Sequence, residues 1–200
     1  MKKSIVLLIV IFLMTTLLNC SKNETAPPQQ QKAENLQLET SQKGEEAKCS
    51  PISFCANEPN GFRGIDWGTD ISQLPDFSYL FDEEDGRKIY HRKGDEMVIG
   101  AAKLSSIGYF FWEGKLHSVA VSVSGYNNWV ALKDACFAKY GEGIRITDDK
   151  FMWIGTKSGI NLKYNVGSEM GYLYMTSIEI DTQKHNYEQQ KAHEGAQKGF

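Results

Sequence analysis

Four cysteines, four histidines and one run of carboxylates are the side chains whose types could carry chemistry in this chain. Cys49 and Cys55 lie close together in CSPISFC, a spacing that closes a small disulfide loop in an oxidising compartment. A zinc or redox site would need a C-x-x-C pair or a second ligand pair, and neither occurs. Cys136 falls on the apolar stripe of a helical segment, which is the place of a buried, inert thiol. His117 belongs to an alternating strand pattern that puts it on one face with Val119 and Val121, a packing or rim position. His185 and His193 stand about two helical turns apart in a polar tail, and His91 is isolated. Asp82-Glu83-Glu84-Asp85-Gly86 lacks the spacing of a calcium loop and reads as a solvated hairpin tip. No G-x-S-x-G, H-E-x-x-H or P-loop occurs, and no Ser and Asp are grouped with a histidine. The expectation is therefore a non-enzymatic chain with no catalytic residues, no metal site and no cofactor.

The elements that must position these residues centre on IGYFFWEGKLHSVAVSVSG followed by YNNWVALKDACFAKYG, residues 107–141. Tyr109 and Phe111 alternate with Phe110 and Trp112, Glu113-Gly114 supplies a tight reversal, and Val119, Val121 and Val123 alternate with small polar residues. This is a hairpin with one apolar face. Trp129, Leu132, Cys136 and Tyr140 then recur at spacings of three and four, flanked by Val130 and Phe137, which predicts an amphipathic helix. Asn127 or Asn128 is the expected N-cap, and Gly141 with Gly143 the stop.

Around that unit, 77–81 and 88–91 read as strands on either side of the acidic turn, with a further strand over 97–102. After the helix, 151–154, 160–165 and 172–180 form a three-stranded meander, the last placing Tyr172, Tyr174, Thr176, Ile178 and Ile180 on one face. Strand runs flanking one helix predict an α+β fold: an antiparallel sheet of hairpins with a C-terminal meander and one main helix on one face. The expected organisation is a leader over 1–19, a tether over 20–60, a globular domain over 61–182 and a polar, helix-permissive tail over 183–200.

The leader begins Met1-Lys2-Lys3 and continues as an apolar run to Leu18, too short to span a bilayer as a helix and suited to a signal peptide. Removing Lys2 and Lys3 with it takes the formal charge from −3 to about −5. No basic cluster stands out, so nucleic acid is not an expected partner. Residues 21–48 are rich in Gln, Glu and Lys and poor in aromatics, a composition that stays unfolded and spans roughly 30 Å as a coil.

Leu17-Leu18-Asn19-Cys20 resembles the lipobox of bacterial lipoproteins, in which the leader is cut before a cysteine that then carries lipid. Asn19 stands where that pattern usually has Gly, Ala or Ser. The resemblance implies acylation of Cys20, a membrane partner held through that lipid, and residence in the cell envelope. Ser21 in place of an aspartate implies the outer membrane, facing the periplasm. From about Phe62 to Asp181 the chain is similar to secreted bacterial domains of unknown role that open F-x-G-I-x-W-G-T, here Phe62 to Thr69. That similarity implies a shared fold and no activity.

Two functions fit. One is a lipid-tethered interaction module for another envelope protein, with Trp67, Trp112, Tyr172 and Tyr174 as candidate surface residues. The other is a binding domain for a lipid, glycan or other small ligand, using a sheet lined by Tyr109, Phe110, Trp112, Trp153, Tyr164, Tyr172 and Tyr174. Core packing is the competing role for most of these rings, Trp67 included.

Overall fold

The computed structural model describes residues 57–199 of the chain; the expected leader, Cys20, the expected Cys49/Cys55 loop and the expected tether as far as 56 lie outside the described residues, while Glu58 of its last stretch accepts from Ser158 N–H and Thr156 Oγ1. In chain order the domain opens with a small hairpin, β1 (Gly61–Phe62) and β2 (Ile65–Asp66), and one 3-10 turn over Ile71–Gln73. Three hairpins follow: β3 (Phe77–Asp82) with β4 (Lys88–Arg92), β5 (Val98–Ile99) with β6 (Ala102–Lys103), and β7 (Ser106–Trp112) with β8 (Lys115–Ser124). Helix α1 (Tyr126–Tyr140) leads to a meander of β9 (Ile144–Thr147), β10 (Lys150–Ile154), β11 (Ser158–Asn165) and β12 (Met170–Ser177). Helix α2 (Ile178–Gly199) completes the described chain. One eight-stranded antiparallel sheet, ordered β3-β4-β7-β8-β12-β11-β10-β9, organises the fold, which is α+β.

The central hairpin forms as its alternation predicts. Glu113 and Gly114 both take left-handed φ (49° and 78°), the pair of values a two-residue reversal needs to match the strand twist. Tyr109 and Phe111 of β7 and Val119, Val121 and Val123 of β8 point inward. Trp129, Leu132, Cys136 and Tyr140 of α1 lie over them, with Leu162 and Leu173 completing the same buried cluster. Gly171 of β12 is required by this packing: a Cβ there would stand 2.5 Å from the Trp129 ring and 2.7 Å from Val123.

Several local expectations are corrected. The N-cap of α1 is Gly125 rather than either asparagine; the Asn128 side chain instead donates to Ser124 O and accepts from Lys103 N–H. The strand expected over 97–102 is split into β5 and β6 by a turn with left-handed Gly100. β9, not expected, extends the meander to four strands. The final strand stops at Ser177, and Ile178 and Ile180 belong to α2. There the Ser177 hydroxyl accepts from Ile180 N–H, and Glu179 and Asp181 occupy the first turn where the helix dipole favours acids. Leu173 and Met175 face the core, so Tyr172 and Tyr174 lie on the opposite face.

The correction with most consequence is in β8. The β7–β8 register shifts between Phe110↔Ser118 and Phe111↔Leu116, so His117 is an extra residue in the ladder. Such a bulge rotates every residue on one side of it. Leu116 therefore joins Phe111 in the core. His117 leaves the Val119 and Val121 face and turns with Ser118 toward α2.

Candidate functional site

On the sheet face opposite α1, the bulge, the β3–β4 tip and α2 enclose a polar cluster. Arg87 is only 16% exposed and donates through Nε to both Asp85 oxygens, at 3.0 and 2.8 Å. Its Nη1 donates to Tyr174 Oη at 2.7 Å and Ser118 Oγ at 3.4 Å, and the guanidinium lies over the Phe110 ring. Burial opposes ionisation of Asp85, but the Arg87 hydrogen bond and charge, aided by Lys184, hold its carboxyl below the usual range. Lys184 of α2 bridges Asp85 and Glu188. Burial works against its charge, while those carboxylates raise its pKa.

His117 connects the cluster to α2. Ser118 Oγ accepts from Tyr174 Oη at 2.8 Å and from Arg87, so its own proton goes to His117 Nδ1, also 2.8 Å away. The neutral ring then carries its hydrogen on Nε2 and donates to Asp181 at 3.2 Å. Burial first, then the Arg87 charge, depress the His117 pKa, with Asp181 acting in the other direction.

Ser118, His117 and Asp181 thus form a grouping that the linear pattern did not reveal. In a regular strand neighbouring residues point to opposite faces, and only the bulge brings His117 and Ser118 to one side. The grouping has the members of a hydrolytic triad, with Ser118 on Nδ1 and Asp181 on Nε2 of His117. Ser118 has no solvent exposure, and its hydroxyl is already engaged by Tyr174 and Arg87. It is a hydrogen-bonded network, buried at His117 and Ser118 and open to solvent at Asp181, that joins α2 to the sheet.

The four aromatic residues singled out from the sequence do not form one patch. Trp67 is half-buried against the core, and its Nε1 donates to Ser158 Oγ at 2.7 Å, linking the start of the domain to β11. Phe62 and Ile65 of the same F-x-G-I-x-W-G-T stretch are buried. Trp112 stacks edge-on with Tyr187 of α2. Tyr174 belongs to the polar cluster, and Tyr172 lies half-buried two residues along the same face.

Two adjoining clefts, about 310 and 250 Å³, lie instead around β1–β2 and the end of α1, sharing Gly61, Phe62, Arg63 and Lys139. The smaller reaches Cys136, Leu173 and Met175. Neither is lined by any of the seven sheet aromatics considered for ligand binding. Among the described residues no three His, Cys, Asp or Glu side chains converge as a metal site, and no helix is long and apolar enough to cross a membrane.

Among the described residues, three consecutive exposed large apolar side chains occur at one edge of the sheet. β3 is a terminal strand, and Tyr79, Leu80 and Phe81 are 52, 46 and 45% exposed in succession. A register shift between Tyr79↔Tyr90 and Phe81↔Ile89 leaves Leu80 as the extra residue of the edge strand. Lysine and proline, which commonly protect such edges, are absent from Phe77–Asp82, so the bulge is the blunting device present. The opposite edge, β9, is Ile-Arg-Ile-Thr and exposes one large apolar side chain, Ile146. The sequence signal was visible in FSYLF, an apolar run that does not alternate, but the strand order that makes it an edge is not local.

Comparison of the chain with protein-family models, with curated proteins and with solved structures gives no match.

Proposed function

We propose that this chain is a lipid-anchored protein of the bacterial cell envelope whose folded domain is a non-catalytic interaction module for another envelope protein. The anchor is the acylated Cys20 of Leu17-Leu18-Asn19-Cys20, the following tether provides reach, and Cys49 and Cys55 form a small disulfide loop before the domain. Ser21, where an aspartate would favour retention at the inner membrane, supports an outer-membrane anchor with the domain facing the periplasm. The F-x-G-I-x-W-G-T opening groups the domain with secreted bacterial domains of similar opening.

The observation that carries the interaction reading is the open β3 edge. Its outward backbone N–H and C=O groups have no neighbouring strand, and three large apolar side chains are displayed beside them. An extended segment of a partner satisfies those backbone groups and covers those side chains in one step.

Crosslinking in intact cells, followed by affinity recovery, tests this with wild type, Cys20→Ala and Leu80→Lys. The expected outcome is one envelope protein recovered with wild type and lost with both variants, while Leu80→Lys stays in the membrane fraction and Cys20→Ala does not. A membrane-bound wild type that recovers nothing above background refutes the interaction reading. Equal solubility of wild type and Cys20→Ala refutes the anchor.

A further inference from the structure

Resting on that reading, the charges around the β3 edge narrow the partner further. The apolar trio is bracketed by carboxylates: Asp76 precedes β3, Asp82 is its last residue, and Glu83 and Glu84 follow it. Asp76 is neutralised in part by Arg92, at 2.7 Å, and Asp82 faces Lys88 across the hairpin. Asp85 is taken by Arg87 and Lys184. Glu83 and Glu84 at the tip are left as the main source of negative potential.

This pattern argues against a second copy of the chain as the occupant. Antiparallel self-pairing has three registers that overlap one Tyr79-Leu80-Phe81 trio with another by two residues or more. In them Asp76 of one copy comes level with Glu83, Glu84 or Asp85 of the other, and symmetry repeats the clash at the far end. Like charges directly opposed on paired strands are destabilising, so the same carboxylates that repel a copy select a partner with the opposite charge.

We propose that the β3 edge accepts an extended segment of an envelope protein whose apolar residues alternate and whose ends carry lysine or arginine. The segment adds a ninth strand to the sheet. Its apolar side chains cover Tyr79, Leu80 and Phe81, and its basic ends meet Asp76 on one side and Asp82–Glu84 on the other. Backbone pairing provides the register, and the flanking charges provide orientation and partner choice.

The test uses the detergent-solubilised full chain and two fluorescent peptides of alternating valine and threonine, one with lysines at both ends and one with glutamates. The lysine peptide is expected to bind at least about tenfold more tightly and to slow hydrogen exchange of the β3 amides. The exposed double variant Asp82→Lys/Glu84→Lys, confirmed as folded by circular dichroism, is expected to lose that preference. Equal binding of the two peptides, protection away from β3, or no binding of either overturns the inference. In-cell crosslinking through Leu80 to a segment without basic residues also overturns it, yet leaves the interaction reading intact. The absence of any crosslinked partner removes that reading as well.

Discussion

His117 is held neutral by a hydrogen-bond pattern that leaves no room for a second ring proton. Ser118 Oγ already receives hydrogens from Tyr174 and Arg87, so protonating Nδ1 would aim a further donor at it. Arg87 and Lys184 add positive charge nearby, and Asp181 is the one facing carboxylate that offsets them. The folded-state pKa is therefore below the ordinary value of 6.5. On acidification the unfolded chain takes up this proton first. The contribution of neutral His117 is full above the unfolded value and is lost as pH falls through it toward the folded one. Urea unfolding at pH 7.5 and 5.5 should show wild type less stable at the lower pH, by at most about 1.4 kcal/mol per pH unit from this group. His117→Gln should flatten that dependence, and an unchanged slope in the variant would assign it to other residues.

α2 shows how an element can be structurally divided without a break in its helix. Its first turns are fastened by Ile180, by Asp181 to His117 and by Lys184 to Asp85, and Tyr187 meets Trp112. From His185 onward the residues are exposed, with Gln–His and Gln–Glu pairs along the helix itself. Truncation after Lys191 is expected to change stability by no more than about 0.5 kcal/mol, as surface changes usually do. Removing 178–199 uncovers the Ile180 site and strips His117 and Asp85 of partners, an expected loss of about 3 kcal/mol. Thermal or urea melts of the two truncations check both figures; equal effects would contradict the packing described. The polar composition of the tail was legible as a solvated helix, but its start at Ile178 was not. Ile178 and Ile180 continue the strand-like alternation of Tyr172, Tyr174 and Thr176, and the helix is favoured by the Ser177 cap and by the sheet contacts of its first turn.

At the scale of the whole molecule, Cys136 reports on global opening. It is 2% exposed on the buried face of α1, and burial pushes its thiol up to about 12. A thiol reagent reaches it only when α1 leaves the sheet, because the thiolate is both inaccessible and scarce. In a chain with Cys20, Cys49 and Cys55 replaced by serine, labelling of Cys136 should lag an exposed thiol at least about a thousandfold in buffer. It should accelerate with urea in parallel with unfolding. Fast labelling in buffer would show instead that the neighbouring cleft opens without unfolding.

The α+β class, the central hairpin, the stripe of α1 and the three meander strands from 150 to 177 were present in the amino-acid sequence as periodicities, because alternation and 3.6-residue recurrence depend only on neighbours in the chain. The lipobox-like Leu17-Leu18-Asn19-Cys20 and the proposed tether after it rest on the sequence alone. Strand order belongs to the tertiary structure. β8 pairs with β12 across the whole of α1 and β9–β11, and β3 is left without an outer neighbour, neither of which any local pattern encodes. The same holds for the bulge at His117. A single extra residue exchanges the faces of a strand, and its position is settled by which side chains the assembled core accepts: Leu116 enters, His117 turns out, and Ser118, Arg87, Tyr174 and Asp181 become its partners.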